Sequence, residues 1–419
     1  MWAIFIFASV SFYHTSLFTF SKIDMSSWVT LTGGNPFQKI AVAMVLVAAF
    51  GCLLVEMPRL QPSTRWPELS LPAIALVFGG FGYAAHFSAV TGQWLIDAGS
   101  HLAFFVVVIG LLILIPRAER VEVPRIVHLI LSCLILLSAI VGFYEISTGR
   151  AWATYTRADG LVVVRASGLL FNPNLLGGWL GLAFLFLLRA PNASSSLYVW
   201  WHRAVKTMIG FGLFLSGSRG ATICLALSAI VAVAVNWRDA WKVVRQYLFV
   251  AVGFLIIFAG SLSVHNNAFH TLALRWLDGP LALNTVLPST LSQKLTKLNG
   301  GLANVETENL EIAVTGRFSG DLRDNGFLAA LDRGGPLAVA SLVIIWLAVV
   351  AFVTRASMEC SGPTRASMWA LLSYLLAWSI QARAFQVYPI WVFMGIGVAI
   401  LLRDCTSTLL GGHKRVATS

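Results

Sequence analysis

The sequence predicts an all-α polytopic membrane protein of about twelve transmembrane helices, a single transmembrane domain over 1–419 with one long outward loop at 265–335. Three observations predict it. Of the 419 residues, 58% are hydrophobic and only 11% are charged, whereas a soluble domain carries about 25% charged residues. Several apolar runs reach about 18 residues or more, the length a helix needs to span a bilayer. Lys and Arg gather in alternate loops, as a threaded topology demands. The short alternating segments of a transmembrane barrel are missing from the sequence.

Taken in order, residues 2–20 read as an uncleaved first helix, since they lack a basic n-region and a clear small-residue cleavage site. Further helices are expected at 39–56, 71–90, 99–116, 126–146, 172–189, 204–217, 220–236, 246–264, 336–353, 367–383 and 388–402. Some are short enough to tilt little or to be partly re-entrant. One set of alternate short loops holds Arg59, Arg65, Arg117, Arg120, Arg125, Arg189, Arg203, Lys206, Arg238, Lys242 and Arg245, and Arg355, Arg365, Arg403, Lys414 and Arg415 continue it. That side is expected to be cytoplasmic, with both termini there. The loops 147–171, 217–220 and 265–335 then face outward.

The formal charge of +11 is spread over loops with no long basic run. This argues against nucleic acid and fits membrane lipid together with an anionic ligand. Cys52, Cys133 and Cys224 sit in apolar spans, and Cys360 and Cys405 in short polar loops. None lies in the long loop, so no structural disulfide is expected there. No Cys/His spacing suggests zinc.

The outward loops keep arginines where the positive-inside rule disfavours them: Arg150, Arg157, Arg165, Arg219, Arg275, Arg317, Arg323, Arg333 and, near the last hairpin, Arg383. Charge this close to a bilayer is costly unless it pairs, meets water or binds something. The sharpest short motif is SGSRGAT, Ser216–Thr222. Gly217 and Gly220 allow a tight turn, Ser218 can cap the next helix, and Arg219 then stands at that helix's N-terminus. Free N–H groups, the helix dipole and a guanidinium together suit phosphate, and Arg offers bidentate geometry. The alternative is an arginine that snorkels at a hairpin. Upstream, RASGLLFNPNLLGGWL (Arg165–Leu180) pairs Arg165 with a helix start in which Asn172, Pro173 and Asn174 read as cap, first position and first turn. Gly177 and Gly178 would allow close helix packing.

The loop 265–335 is too long to be structureless, and short helices are expected at 290–299 and 306–313. It closes with TGRFSGDLRDNGFLAALDRGG, Thr315–Gly335, a knot of Arg317, Arg323 and Arg333 with Asp321, Asp324 and Asp332. Beside Arg317 and Arg323 the Asp324 carboxylate would stay ionised and suit a general base. Asp321 is its rival, and an ion-pair or capping role is the alternative for either. His265 and His270, at the edge of the loop, read as structural, and Asp159, Glu306, Glu308 and Glu311 as solvated.

The order of these motifs, RASGLLFNPNLLGGWL, then SGSRGA opening a helix, then a long outward loop, then TGR and DNGFLAALDRGGPLA entering a helix, resembles the O-antigen ligase and polymerase superfamily. The resemblance covers roughly 149–402. It implies a bacterial inner-membrane glycosyltransferase of the GT-C type with its active face in the periplasm. The implied donor is a glycan linked to undecaprenyl pyrophosphate, and the acceptor is a glycan or the lipid A core. No metal, cofactor or nucleotide sugar is implied; a chain-length regulator protein is a candidate partner. Arg219 corresponds to the arginine that binds the lipid pyrophosphate in that family, and Arg165 to the arginine before the helix that opens with NPN. Arg317, Arg323, Asn172, Asn174, Asn325 and Arg383 are further candidate substrate-binding residues, and Asp324 and Arg219 the candidate catalytic pair. Trp152, Tyr155, Phe171, Trp276 and Phe327 are candidates to stack on sugar rings.

Ligases resemble one another in a His-Asn pair set before a glycine. Here the pair at that place is Asp324-Asn325, with nine residues between it and Gly335. The pair His265-Asn266 does not fit, because Trp276 stands where the glycine should. Aspartate in place of histidine favours a polymerase over a ligase. A transporter is expected less than either, since the charges lie at outer helix ends and the two halves of the chain do not match.

Overall fold

The computed structural model describes residues 122–149, 153–156, 162–168, 173–188, 196–264, 267–277 and 362–381, with scattered helical residues between 339 and 358. The spans expected before residue 117 and at 388–402, most of that at 336–353, and the short helices at 290–299 and 306–313 lie outside the described residues. What is described is mostly helical. Helix α1 covers Glu122–Thr148. A two-stranded hairpin follows, β1 Ala153–Thr156 and β2 Val162–Arg165. Then come α2 Pro173–Leu187, α3 Ser196–Ser216, α4 Arg219–Val235, a single 3₁₀ turn Trp237–Asp239, α5 Ala240–Ser263, α6 Ala268–Leu277 and α7 Gly362–Gln381.

Local chemistry explains most of these ends. Pro124 lies in the first turn of α1, and Pro173 opens α2, where the missing N–H has no intrahelical partner to lose. Asn267 caps α6, its Oδ1 accepting the His270 N–H at 2.8 Å. Gly217 stops α3 with φ +57°, a conformation a side chain resists, and its N–H bonds the Phe214 carbonyl at 2.9 Å. Two expected spans are longer than the apolar pattern suggests. α3 begins at Ser196 and α5 at Ala240, because amphipathic residues such as Tyr198, Trp200, Trp201, Trp241 and Lys242 continue each helix past its apolar core.

The region 147–171 is not a plain loop. Ala153 pairs with Arg165 and Thr156 with Val162 in an antiparallel ladder. The β-branched runs around Asp159-Gly160 form the two strands, as Val and Thr favour. Val163 and Val164 are buried and Val162 is exposed.

The helices form a bundle in which α3 is central, packing on α1, α2 and α5, while α4 lies along α7. Glycines set the closest approaches. A Cβ on Gly210 would collide with the Val250 carbonyl, and one on Gly253 with the Thr207 carbonyl, so α3 and α5 touch backbone to backbone. Gly178 faces the Trp378 indole, and the Tyr374 hydroxyl donates to the Gly178 carbonyl at 2.8 Å, which ties α2 to α7. Phe184, Phe214, Tyr374 and Trp378 fill the interior.

Two helical stretches, Leu131–Thr148 and Ala240–Ser263, are long and apolar enough to cross a membrane. The outer side of α5 carries Leu248, Val252, Leu255 and Ile256, all exposed. A helix apolar on its outward side as well as its inward side suits lipid better than water.

The bundle has two distinct ends. The α1 C-terminus, β2, the α2 N-terminus, the α3–α4 turn and α6 meet at one. The other holds the α4–α5 corner, where Asn236 lies beside Gly362 at the start of α7.

Candidate functional site

The turn between α3 and α4 is the floor of the site. Ser216-Gly217-Ser218 reverses the chain, and α4 begins at Arg219, as the SGSRGAT motif predicts. Ser218 holds the cap position but its side chain makes no capping bond. Its Oγ is turned instead toward Gly177 of α2, where only a glycine leaves room. Its N–H bonds the Ser216 Oγ at 3.2 Å, and its carbonyl takes the Thr222 N–H at 3.2 Å. The first helical bond of α4 is thus made by the Ser218 carbonyl, while its hydroxyl packs against α2.

Arg165 reaches this turn from β2. Its Nε donates to the Ser216 carbonyl at 3.0 Å and its Nη2 to the Asn174 Oδ1 at 2.7 Å. Just beyond it, the Ala166 N–H bonds the Leu215 carbonyl at 2.9 Å, which fastens the strand end to the end of α3. Asn174 thus orients an arginine through its amide oxygen. That is a more specific role than the first-turn position alone suggests.

Arg275 completes the group. It sits in the last turn of α6, and its carbonyl accepts a hydrogen bond from the Arg219 Nη2. A Cβ on Gly217 would stand 3.2 Å from the Arg165 Nε and 3.5 Å from the Arg275 Nε. Both guanidinium stems therefore lie against the same turn, and any larger residue there would push on them. Burial, and then the charges of Arg275 and Arg219, push the Arg165 pKa down to about 9. That is still above neutral pH, so Arg165 stays charged beside its neighbours. Like charges crowded at a helix N-terminus create a positive field that an anion relieves.

Trp276 is not a sugar platform. Its indole N–H bonds the Phe214 carbonyl at 3.2 Å, its ring packs edge-on to Phe254 with centroids 4.9 Å apart, and the residue is buried. It anchors α6 on the end of α3 and the flank of α5, and so fixes Arg275. His270 is half-buried in the same helix.

The structure therefore brings together three expected residues, Arg165, Asn174 and Arg219. It adds Arg275, which in the sequence is one outward arginine among many. A signal for α6 was present: Asn267 as cap, then Ala268, Leu272, Ala273 and Trp276 along one helical face. Asn172, Arg317, Arg323, Asp324, Asn325 and Arg383 lie outside the described residues, as do Trp152, Phe171, Phe327 and His265. Among the described residues no group of three or more His, Cys, Asp or Glu is placed to hold a metal.

Compared with models of known protein families the chain matches none, and no curated protein sequence matches it significantly.

Proposed function

We propose that the chain is a bacterial polysaccharide polymerase of the inner membrane. It transfers a glycan from undecaprenyl pyrophosphate to a hydroxyl of a lipid-linked repeat unit on the periplasmic face. In this reading it is a GT-C-type glycosyltransferase of about twelve spans, working without metal. The observation that carries the proposal is the convergence of Arg165, Arg219 and Arg275, from three separate segments, on the N-terminus of α4. The resemblance of the RASG, NPN and SRG segments to ligases and polymerases says which anion belongs there.

The arginines would hold the pyrophosphate and stabilise the charge that develops on it as the glycosidic bond to phosphate breaks. Asp324 would accept the proton of the attacking hydroxyl. A single displacement inverts the anomeric carbon. An O-antigen ligase acting on the lipid A core is the second reading, ranked below because Asp324 stands where ligases show histidine.

Reconstitution tests this. The full-length chain is placed in vesicles with an undecaprenyl-pyrophosphate-linked repeat unit as the only glycan. Lipid-linked products of stepwise increasing length are the expected result. Transfer that needs added lipid A core establishes the ligase instead. Movement of the donor across the bilayer with no transfer to either acceptor removes both readings and establishes a transporter.

A further inference from the structure

Among the described residues Glu145 is the one buried carboxylate, only 1% exposed in the last turn of α1. Its position is unfavourable in two ways. A buried acid loses hydration, and a carboxylate near a helix C-terminus faces the negative end of the dipole. What offsets this is a pair of backbone donors. Its Oε2 accepts the N–H of Ser167 at 2.8 Å and that of Gly168 at 2.9 Å. Both bonds go to one carboxyl oxygen, which accepts whether the acid is ionised or neutral.

The two donors belong to the segment that joins Arg165 to α2. That segment is pressed onto α1, since a Cβ on Gly142, one turn before Glu145, would stand 3.0 Å from the Ala166 Cβ. Gly168 takes φ +55°, and a Cβ there would stand 3.1 Å from the Ser138 carbonyl oxygen. Arg165 is thus bounded on one side by its own bonds to Ser216 and Asn174, and on the other by a turn clamped to Glu145.

We infer that Glu145 is a positioning residue for the anion site: its carboxylate clamps the Ala166–Gly168 segment and so holds the Arg165 guanidinium at the α3–α4 turn. The inference rests on the lipid-pyrophosphate reading of the arginine cluster. Glu145 acts through Arg165 and does not touch the ligand.

The test is a binding titration of undecaprenyl pyrophosphate to the full-length chain in lipid nanodiscs, with the thermal midpoint followed in parallel. In Glu145→Gln an amide oxygen still meets both N–H groups, and affinity stays within about threefold. Glu145→Ala releases the segment and lowers affinity about tenfold or more. In an Arg165→Ala background the same change costs at most about twofold, because the residue it acts through is gone. A purely structural role predicts instead an additive loss in the double variant. If Glu145→Ala does not yield monodisperse protein, Glu145→Asp, one methylene short of its donors, replaces it with the same expectations. Unchanged affinity in both truncations, or additivity with Arg165→Ala, overturns the role of Glu145 alone. An unsubstituted chain that does not bind the probe removes the pyrophosphate reading, and this inference with it.

Discussion

Arg165 commits two of its N–H groups to protein acceptors, Ser216 and Asn174, and keeps its charge beside two other guanidinium groups. Each arginine is held by a different segment, so each is expected to contribute separately. Arg219→Ala should lower transfer about 100-fold or more, as loss of a preorganised charge-stabilising group does, while the thermal midpoint stays near that of the unsubstituted chain. Full activity in that variant would remove the claim that this turn binds the donor. Arg275→Ala should weaken donor binding, and Arg275→Lys should restore little of it, because an ammonium lacks the planar fork. The pH dependence follows from Arg165. Its folded-state pKa is lowered to about 9, and only its protonated form attracts an anion. Affinity for a pyrophosphate diester, whose own charge is constant, should be flat from about pH 6 to 8 and fall above about pH 9. The bound anion favours the charged guanidinium, so the fall comes later at saturating ligand. A titration of affinity from neutral to alkaline pH checks the sign.

Among the elements, the short ones place the charges. The hairpin delivers Arg165, the α3–α4 turn delivers Arg219, and α6 delivers Arg275. The long helices supply a rigid frame through glycine contacts. Gly253→Ala puts a methyl group into the Thr207 carbonyl and should destabilise the α3–α5 pair by about 1–3 kcal/mol. Leu248→Ala, on the exposed side of α5, should change stability much less. Thermal midpoints of the two variants in the same detergent make the comparison, and equal shifts would refute the close backbone crossing. The hairpin was legible in the sequence as ATYT and VVVR around Asp159-Gly160. An eye set for apolar runs of helical length passes over strands of four residues. Ser218 shows the reverse error. Its place as a cap was readable, but which way its hydroxyl turns depends on Gly177, 41 positions away in the chain and adjacent only after folding.

At the scale of the whole molecule, the bundle gathers segments that the charge pattern assigns to one face. The hairpin, the α3–α4 turn and α6 lie at one end, with the α4–α5 corner at the other. On the proposed topology, Val162→Cys on the hairpin should react with a membrane-impermeant maleimide added outside, in a chain with its native cysteines replaced. Trp237→Cys at the α4–α5 corner should react only after permeabilisation. The opposite pattern would invert the topology. By itself the sequence determined the largely helical character of the described residues, because long apolar runs without strand-like alternation leave few alternatives. Among the described residues it also placed the cores of α1, α2, α3, α4, α5 and α7, and set Arg165 and Arg219 at the edges of helices or turns, since Gly, Pro and cap residues act locally. Only the tertiary structure decided which of the many outward arginines are neighbours. Arg165, Arg219 and Arg275 meet because β2 bonds the end of α3, Gly217 leaves room for two guanidinium groups, and Trp276 pins α6 across the turn. Those are contacts between distant segments, set by packing and hydrogen bonding across the bundle, and local sequence pattern carries no record of them.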